Sequence, residues 1–421
     1  MDRRTVGRAP AEAGPPLTLT TAHERVATLA LRPGPVGRVG LELEGHLVDL
    51  AAPASRVRWE RIQAAVDGLG PLPAASRITV EPGGQLELST PPQPDTGGAV
   101  EGLRRDLAAT RAQLIGHGLG LACLGADPVR APVRVNPKSR YAAMESYFAA
   151  TGNAASGAAM MCSTASLQIN LDAGPSGTWP DRIQLAHRLG PPLVAMSACS
   201  PMRRGRVTGW RSSRQRIWGE LDQARCGPLL AGAEPAREWA DYAMAAPVML
   251  VRDPVSGEPT PMTGAVPFGA WAAGHEDLVG RRPTADDLDY HLTTLFPPVR
   301  LRGWFEVRYL DAVPQRWWPA LVALVVALLD DPAAADVATE ATEPLADGWT
   351  RAARDGLADP ALARAARQCI QAALAAVPPE LKAEVELYAE LVESGRSPGD
   401  EFMDQVAASD PATALGEVCR A

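Results

Sequence analysis

The sequence predicts an α+β fold, a sheet of polar-faced strands covered by helices, and three observations carry the prediction. The stretch Arg77-Ile-Thr-Val-Glu-Pro-Gly-Gly-Gln-Leu-Glu-Leu-Ser-Thr90 alternates with period two on both sides of Pro82-Gly83-Gly84. Ile78, Val80, Leu86 and Leu88 therefore take one face of a strand pair, and Arg77, Thr79, Glu81, Gln85, Glu87 and Ser89 take the other. One such stretch would describe any solvated sheet face, but the pattern recurs further along the chain. Residues 315–421, by contrast, are rich in Ala and Leu at helical spacing and poor in Gly, as expected of a helical C-terminal part.

In chain order, residues 1–16 are rich in Arg, Pro and Ala without an apolar run, and are expected to form a disordered tail rather than a signal peptide. Thr21 to Leu31 reads as a short helix capped by Thr20 or Thr21. Val36 to Leu50 reads as a strand, with Arg38, Glu42 and Glu44 on one face and Val39, Leu41 and Leu43 on the other. A helix over Val57 to Leu69 precedes the 77–90 hairpin. Glu101 to Gly116 is an amphipathic helix stopped by glycine, and Leu119 to Gly125 a buried strand. Pro128 to Lys138 is loop, and Arg140 to Ala150 a helix packing through Tyr141, Met144, Tyr147 and Phe148.

Met160 to Asp172 reads as a second polar-faced strand, presenting Cys162, Thr164, Ser166, Gln168, Asn170 and Asp172 together. A helix over Asp181 to Ala198 follows, then the loop-rich basic segment Ser200 to Cys226. Ala246 to Arg252 is a strand, and a helix over Asp286 to Leu295 stops before Pro297-Pro298. Val299 to Asp311 is the third such stretch, with Arg300, Arg302, Glu306 and Arg308 on one face and Leu301, Phe305, Val307 and Tyr309 on the other. The most apolar run, Trp317 to Leu329, falls short of the ~20 residues that span a bilayer and suits a core helix. With no repeat and no linker, a single catalytic domain over 17–421 is expected.

A net charge of −8 argues against nucleic-acid binding, which calls for a basic field. Hydrophobic content of 46% is ample for a core. The six cysteines are scattered without a C-x-x-C pair, which fits a reduced, cytoplasmic protein and not a disulfide or zinc framework. All but two of the 41 basic residues, Lys138 and Lys382, are arginine, so arginine must do most of the anion binding.

If the polar-faced strands share a sheet, one face collects Glu42, Glu44, Glu81, Glu87 and Glu306 beside Arg300, Arg302 and Arg308. Crowded carboxylates raise each other's pKa and must be offset by cations, and hard divalent ions such as Mg²⁺ prefer carboxylate oxygen. Interleaved arginines imply an anionic ligand gripped bidentately. Together these are the parts of phosphoryl transfer from a nucleotide. No G-x-x-x-x-G-K-[ST] loop and no Rossmann glycine pattern occurs, so the phosphates fall to metal and arginine, and Pro82-Gly83-Gly84 is read as a turn. The six histidines are isolated and read as structural, and no G-x-S-x-G elbow supports a serine hydrolase. Cys162 lacks a neighbouring histidine and reads as a lining residue; Trp210 and Trp218 read first as packing.

Five ordered blocks resemble the plant- and bacterial-type glutamate–cysteine ligases (GCS2 type): Gly40-Leu-Glu-Leu-Glu44, Glu81 to Ser89, Met160 to Asp172, Ser200 through Trp218, and Phe296 to Asp311. Within that family the chain is similar to the actinobacterial ligases of ergothioneine biosynthesis. The resemblance implies a glutamine-synthetase-like catalytic fold, an antiparallel sheet funnel with helices outside. It implies ATP and Mg²⁺, L-glutamate and L-cysteine as substrates, and γ-glutamylcysteine formed through γ-glutamyl phosphate. Glu42, Glu44, Glu81, Glu87 and Glu306 match metal-binding positions; Arg214 and Arg308 match catalytic arginines that face glutamate and the transferred phosphate. Gln85, Arg300 and Arg302 are implied on the nucleotide side, and Thr164, Gln168, Asn170 and Trp218 join the two catalytic arginines as substrate-binding positions. A monomer without membrane or nucleic-acid partner is expected. The rival readings are a ligase with another acceptor amine, a metal-dependent phosphohydrolase, and a non-catalytic amino-acid-binding descendant.

Overall fold

The computed structural model describes residues 15–229 and 232–420, so the tail expected over 1–16 lies, up to residue 14, outside the described residues. A seven-stranded sheet organises the chain. Strand β1 (Val39–Asp49) is its centre, because its eleven residues are long enough to pair on both edges. The hairpin β2 (Arg77–Val80) and β3 (Leu86–Ser89) adds on one side through β3, and β4 (Leu119–Ala122) pairs with the C-terminal half of β1. On the other side stand β5 (Ser166–Leu171), then β11 (Phe305–Asp311) and β10 (Val299–Leu301). All these pairings are antiparallel, giving the order β10-β11-β5-β1-β3-β2. Two small hairpins lie apart from the sheet, β6 (Met202–Arg203) with β7 (Arg206–Val207), and β8 (Leu250–Arg252) with β9 (Pro259–Pro261).

The period-two pattern decides which face is core. Val39, Leu41, Leu43, Leu86, Leu88, Leu167, Ile169, Phe305 and Val307 are all buried on one side. Against that side pack helices, including Trp318–Asp330, whose residues from Trp318 to Leu329 are buried without a break. The expected core helix is thus present, and among the described residues six further α-helices follow it, from Pro332 to Val418, as the helical C-terminal part. The other face carries the acids.

Four expectations need correction. Met160 to Asp172 is not one strand: Ala154–Ser163 is helix, and only Ser166–Leu171 pairs in the sheet. Ala154-Ala-Ser-Gly-Ala-Ala-Met-Met supplies good helix formers, and Ser163 and Thr164 turn their hydroxyls back to the carbonyls of Ala159 and Met160. Cys162 therefore sits on the last helical turn, not on a strand face. Val299 to Asp311 is a hairpin turned at Arg302-Gly303-Trp304, with Gly303 at φ +88°. Arg300 and Glu306 still share a face because they are directly opposite. The helix over 181–198 breaks at Gly190-Pro191-Pro192 into Trp179–Arg188 and Gly190–Ser197. The first helix begins at Leu19, where Thr18, and not Thr20 or Thr21, forms a capping box with Thr21.

Candidate active site

The registers of four strands bring the predicted acids together. Glu44 stands opposite Glu87, and Glu42 lies between Ser89 on one neighbour and Gln168 on the other. Glu306 stands opposite Asn170 and Arg300. Glu81 is carried by the hairpin turn, whose Gly83 is pressed so close to Cys162 that any side chain would collide with that backbone. The turn is also strapped by Val135 and Asn136, whose backbone N–H groups both donate to the Pro82 carbonyl. Arg56 donates to the Gly83 carbonyl at 3.0 Å.

The carboxylates differ in how they are held. Glu306 is fully buried and gripped bidentately by Arg300 at 2.6 and 3.0 Å, with Arg308 at 3.1 Å. Burial opposes its ionisation, yet the two guanidinium groups outweigh burial and hold its carboxyl down at about 2. Glu44 accepts from the Ser166 N–H at 2.7 Å and Gln168 at 3.2 Å; Glu87 accepts from Thr79 at 2.9 Å and Ser89 at 3.1 Å. Glu42 receives only Asn170 at 3.3 Å. Burial pushes Glu42 up to about 7, with Glu306 and Glu87 adding to it. Burial, then Glu87 and Glu44, push Glu81 up to about 8. Burial alone raises Glu44, and burial with the neighbouring Glu44 raises Glu87.

These four acids lack full compensation from the protein, which is the donor chemistry of a hard cation site. Among the described residues no three His, Cys, Asp or Glu side chains are close enough to enclose one ion. That fits Mg²⁺, which takes one or two carboxylates and completes its shell with water and phosphate oxygen. The five predicted ligands thus form an open acidic floor and not a closed cage. A stability signature follows. Above the ordinary carboxyl value of 4.5 the unfolded chain has released protons that folded Glu42 and Glu81 still hold. The folded state then binds more protons, so in metal-free buffer stability falls as pH rises from 4.5 to 8. Glu81→Gln removes part of this slope: its Tm exceeds that of the unchanged chain by about 2 °C at pH 8 and matches it at pH 4.5. Equal Tm values at pH 8 in thermal melts would reject the assignment.

Two cavities meet over this floor, and Glu81 and Tyr141 line both. The smaller, about 250 Å³, has Glu44, Gln85, Thr164, Arg214, Trp218 and Arg308 in its wall. The larger, about 670 Å³, combines Glu87, Lys138, Arg300 and Arg302 with apolar Val26, Leu29, Leu292 and Leu301. Arg308, in the wall of the smaller cavity, donates to Gln168 and pairs with Glu306, which Arg300 of the larger cavity also grips. Arg214 donates to the Arg308 carbonyl at 2.7 Å.

Most predicted residues therefore converge, but three serve differently. Gln85 is not beside Arg300 and Arg302; it is buried in the smaller cavity's wall, donating to the carbonyls of Thr164 and Met161. Asn170 is engaged between Glu42 and the Trp304 indole, and so positions the acid. Thr164 spends its hydroxyl on Met160. His46, His187 and His291 are buried with ring nitrogens on backbone carbonyls, and burial lowers all three, to about 4, 4 and 3.

Two residues escaped the sequence reading. Lys138 faces Glu81 from the larger cavity, and its being one of two lysines among so many arginines was the available signal. Asp311 is buried, accepts from Cys199 N–H, Ser200 and Ser212, and lies 4.0 Å from the Arg214 guanidinium. Ser200 also accepts the Arg214 N–H, so this cluster fixes the start of the Arg214 helix.

Comparison with known proteins adds three findings. The profile of glutamate–cysteine ligase family 2 (GCS2) matches residues 38–421. The chain is 51% identical to the glutamate–cysteine ligase EgtA of Mycolicibacterium smegmatis over 96% of each chain, and 51% identical to that of Mycobacterium tuberculosis H37Rv over 94% of this chain and 92% of the relative. It is 32% identical to a chloroplastic glutamate–cysteine ligase of Brassica juncea over 72% of this chain and 59% of the relative. In fold it is similar to a solved Francisella tularensis glutamate–cysteine ligase in complex with AMP, with a TM-score of 0.57 at 13% identity, covering 92% of this chain and 88% of the other.

Proposed function

The chain belongs to glutamate–cysteine ligase family 2, and from that premise we propose that it joins L-cysteine to the side-chain carboxylate of L-glutamate, converting ATP to ADP and phosphate and forming γ-glutamylcysteine. The observation that carries this reading is the acid- and arginine-lined sheet face, kept within a chain half identical to proteins named for that reaction over nearly their whole length.

ATP lies in the larger cavity, its base on the apolar wall and its phosphates toward Lys138, Arg300 and Arg302. Glutamate lies in the smaller, where Arg214 faces a carboxylate and Arg308 stands between substrate and phosphate. Of the five predicted ligands, Glu42, Glu44, Glu81 and Glu87 would hold Mg²⁺, which would supply positive charge to the phosphate oxygens, while Glu306, already gripped by Arg300 and Arg308, orients those arginines. Transfer of the γ-phosphoryl group turns a poor leaving group, carboxylate oxygen, into phosphate. The amine of cysteine then attacks the acyl carbon, forming the amide and releasing phosphate. Arg308 stabilises charge on the transferring group. Met160, Met161, Tyr141 and Trp218 exclude water, so that the amine and not water captures the acyl phosphate.

Likeness to the ligases named EgtA supports ergothioneine biosynthesis as the route that receives the dipeptide. No described helix is long and apolar enough to cross a membrane; the reading extends to a cytoplasmic enzyme whose single catalytic domain acts as a monomer. Incubation with ATP, Mg²⁺, glutamate and cysteine is expected to yield γ-glutamylcysteine by mass detection with one ADP per dipeptide. Faster ADP release with another amino acid would reassign the acceptor, and phosphate release without any amine would replace the ligase by a hydrolase.

A further inference from the structure

Arg214 reaches the wall of the smaller cavity from the helix Ser213–Gly219, whose seven residues are too few to be stable alone. Strand β11 supplies three of its anchors. Arg214 donates through Nη2 to the Arg308 carbonyl, and Gln215 donates to the Tyr309 carbonyl at 2.6 Å. The third anchor is Asp311, at the end of the same strand.

Both oxygens of Asp311 are engaged. Oδ2 accepts from the Cys199 N–H at 3.0 Å and the Ser200 hydroxyl at 2.7 Å. Oδ1 accepts from the Ser212 hydroxyl at 2.9 Å and lies 4.0 Å from Nη1 of Arg214. Asp311 is 1% exposed and Arg214 4%, so water screens little between them. Each serine that donates to the carboxylate turns a lone pair to the helix start: Ser200 accepts the Arg214 N–H and Ser212 the Gln215 N–H, both at 3.1 Å. The register shift between Val307 and Leu310 breaks the alternation between Arg308 and Asp311. One strand thus carries Arg308 directly and holds Arg214 through Asp311.

We propose that Asp311 is a positioning residue for glutamate binding. With Ser200 and Ser212 it fixes the direction of Arg214 and its distance from Arg308, and so sets the spacing between the cation for the amino acid and the cation for the transferring phosphate. The proposal rests on the reading of Arg214 as the arginine that faces a glutamate carboxylate. An amide cannot replace this carboxylate, because each oxygen faces a nitrogen that only donates, that of Cys199 on one side and Nη1 of Arg214 on the other. Whichever way asparagine turns, its NH₂ group meets one of them, and Arg214 is misaimed. Loss of negative charge alone would act in the opposite sense and draw an anionic substrate more strongly to Arg214. The sign of the change therefore separates positioning from simple electrostatics.

Steady-state ADP release by the full chain, with glutamate and ATP varied in turn, tests this. Asp311→Asn is expected to raise KM for glutamate about 10-fold or more, the worth of a misaimed hydrogen bond to a charged group. Its kcat is expected to stay within about 3-fold of the parent and its KM for ATP to be unchanged. Ser212→Ala keeps the carboxylate but frees Oδ1, and is expected to raise KM for glutamate about 3-fold; it decides the matter alone where Asp311→Asn does not fold. A parent chain that releases no ADP with glutamate and cysteine would remove the ligase reading and this proposal together. An active parent whose two variants keep or lower KM for glutamate would overturn the proposal alone. So would a KM for ATP that rises in step with that for glutamate, the mark of general loss of structure.

Discussion

Arg308→Ala is expected to lower kcat for γ-glutamylcysteine formation by about 10³-fold or more, the range seen when an arginine that stabilises a transferring phosphoryl group is removed. Arg308 lines the smaller substrate cavity and, alone among the described arginines there, pairs with Glu306, which Arg300 of the larger cavity also grips. It also lowers the proton affinity of Glu42, Glu44, Glu81 and Glu87. Its loss therefore removes the cation at the transferring phosphate and makes the acidic floor harder to ionise, so apparent Mg²⁺ affinity falls together with kcat. Arg308→Lys keeps the charge but replaces the planar guanidinium that meets Gln168 and Glu306 with a compact ammonium, and partial recovery is expected. The fold survives, because Arg300 continues to grip Glu306 through two hydrogen bonds. Steady-state kinetics with circular dichroism decides the matter: an alanine variant within 10-fold of the parent kcat removes Arg308 from the chemistry.

Much of this site was legible because strand periodicity is a local property that the sheet simply propagates. Glu42 and Glu44 could be placed on one face, opposite Val39, Leu41 and Leu43, from alternation alone, and the register adds Glu87 and Glu306 to them. Alternation failed where helix and strand share small residues: Met160 to Ala165 keeps a polar and apolar parity that either state accommodates, and packing on the helix Ser139–Ala150 selects helix up to Ser163. Asp311 was hidden for another reason. Parity from Leu301 through Tyr309 assigns it to the apolar face, but the register shifts between Val307 and Leu310. Beyond that bulge the chain carries a buried carboxylate that serves Arg214, a partner nearly a hundred residues away. Lys138 belongs to a loop whose course depends on the turn it straps, and no local pattern reports that.

Glu87→Gln and Glu306→Gln are both expected to abolish turnover, by about 10²-fold or more, yet to move stability in opposite directions. Glu87 is raised by burial and by Glu44, so its ionised form is disfavoured in the metal-free fold. Glutamine keeps its shape and its hydrogen-bond acceptor toward Thr79 and Ser89 without the charge. The metal-free variant should melt at or above the temperature of the parent at pH 7, and its Mn²⁺ affinity, read by electron paramagnetic resonance, should fall at least 10-fold. Glu306 is the reverse case. Its carboxyl is held at about 2, so its stabilising contribution is complete above the unfolded value of 4.5 and is lost only as pH falls through about 2. Neutralising it leaves Arg300 and Arg308 buried beside each other without their shared counter-ion. Breaking a buried pair from one side costs about 3–5 kcal/mol, so this variant should melt several degrees below the parent at pH 7. If the two variants shift Tm in the same direction, the division into acids that await a cation and an acid already satisfied by arginine is wrong.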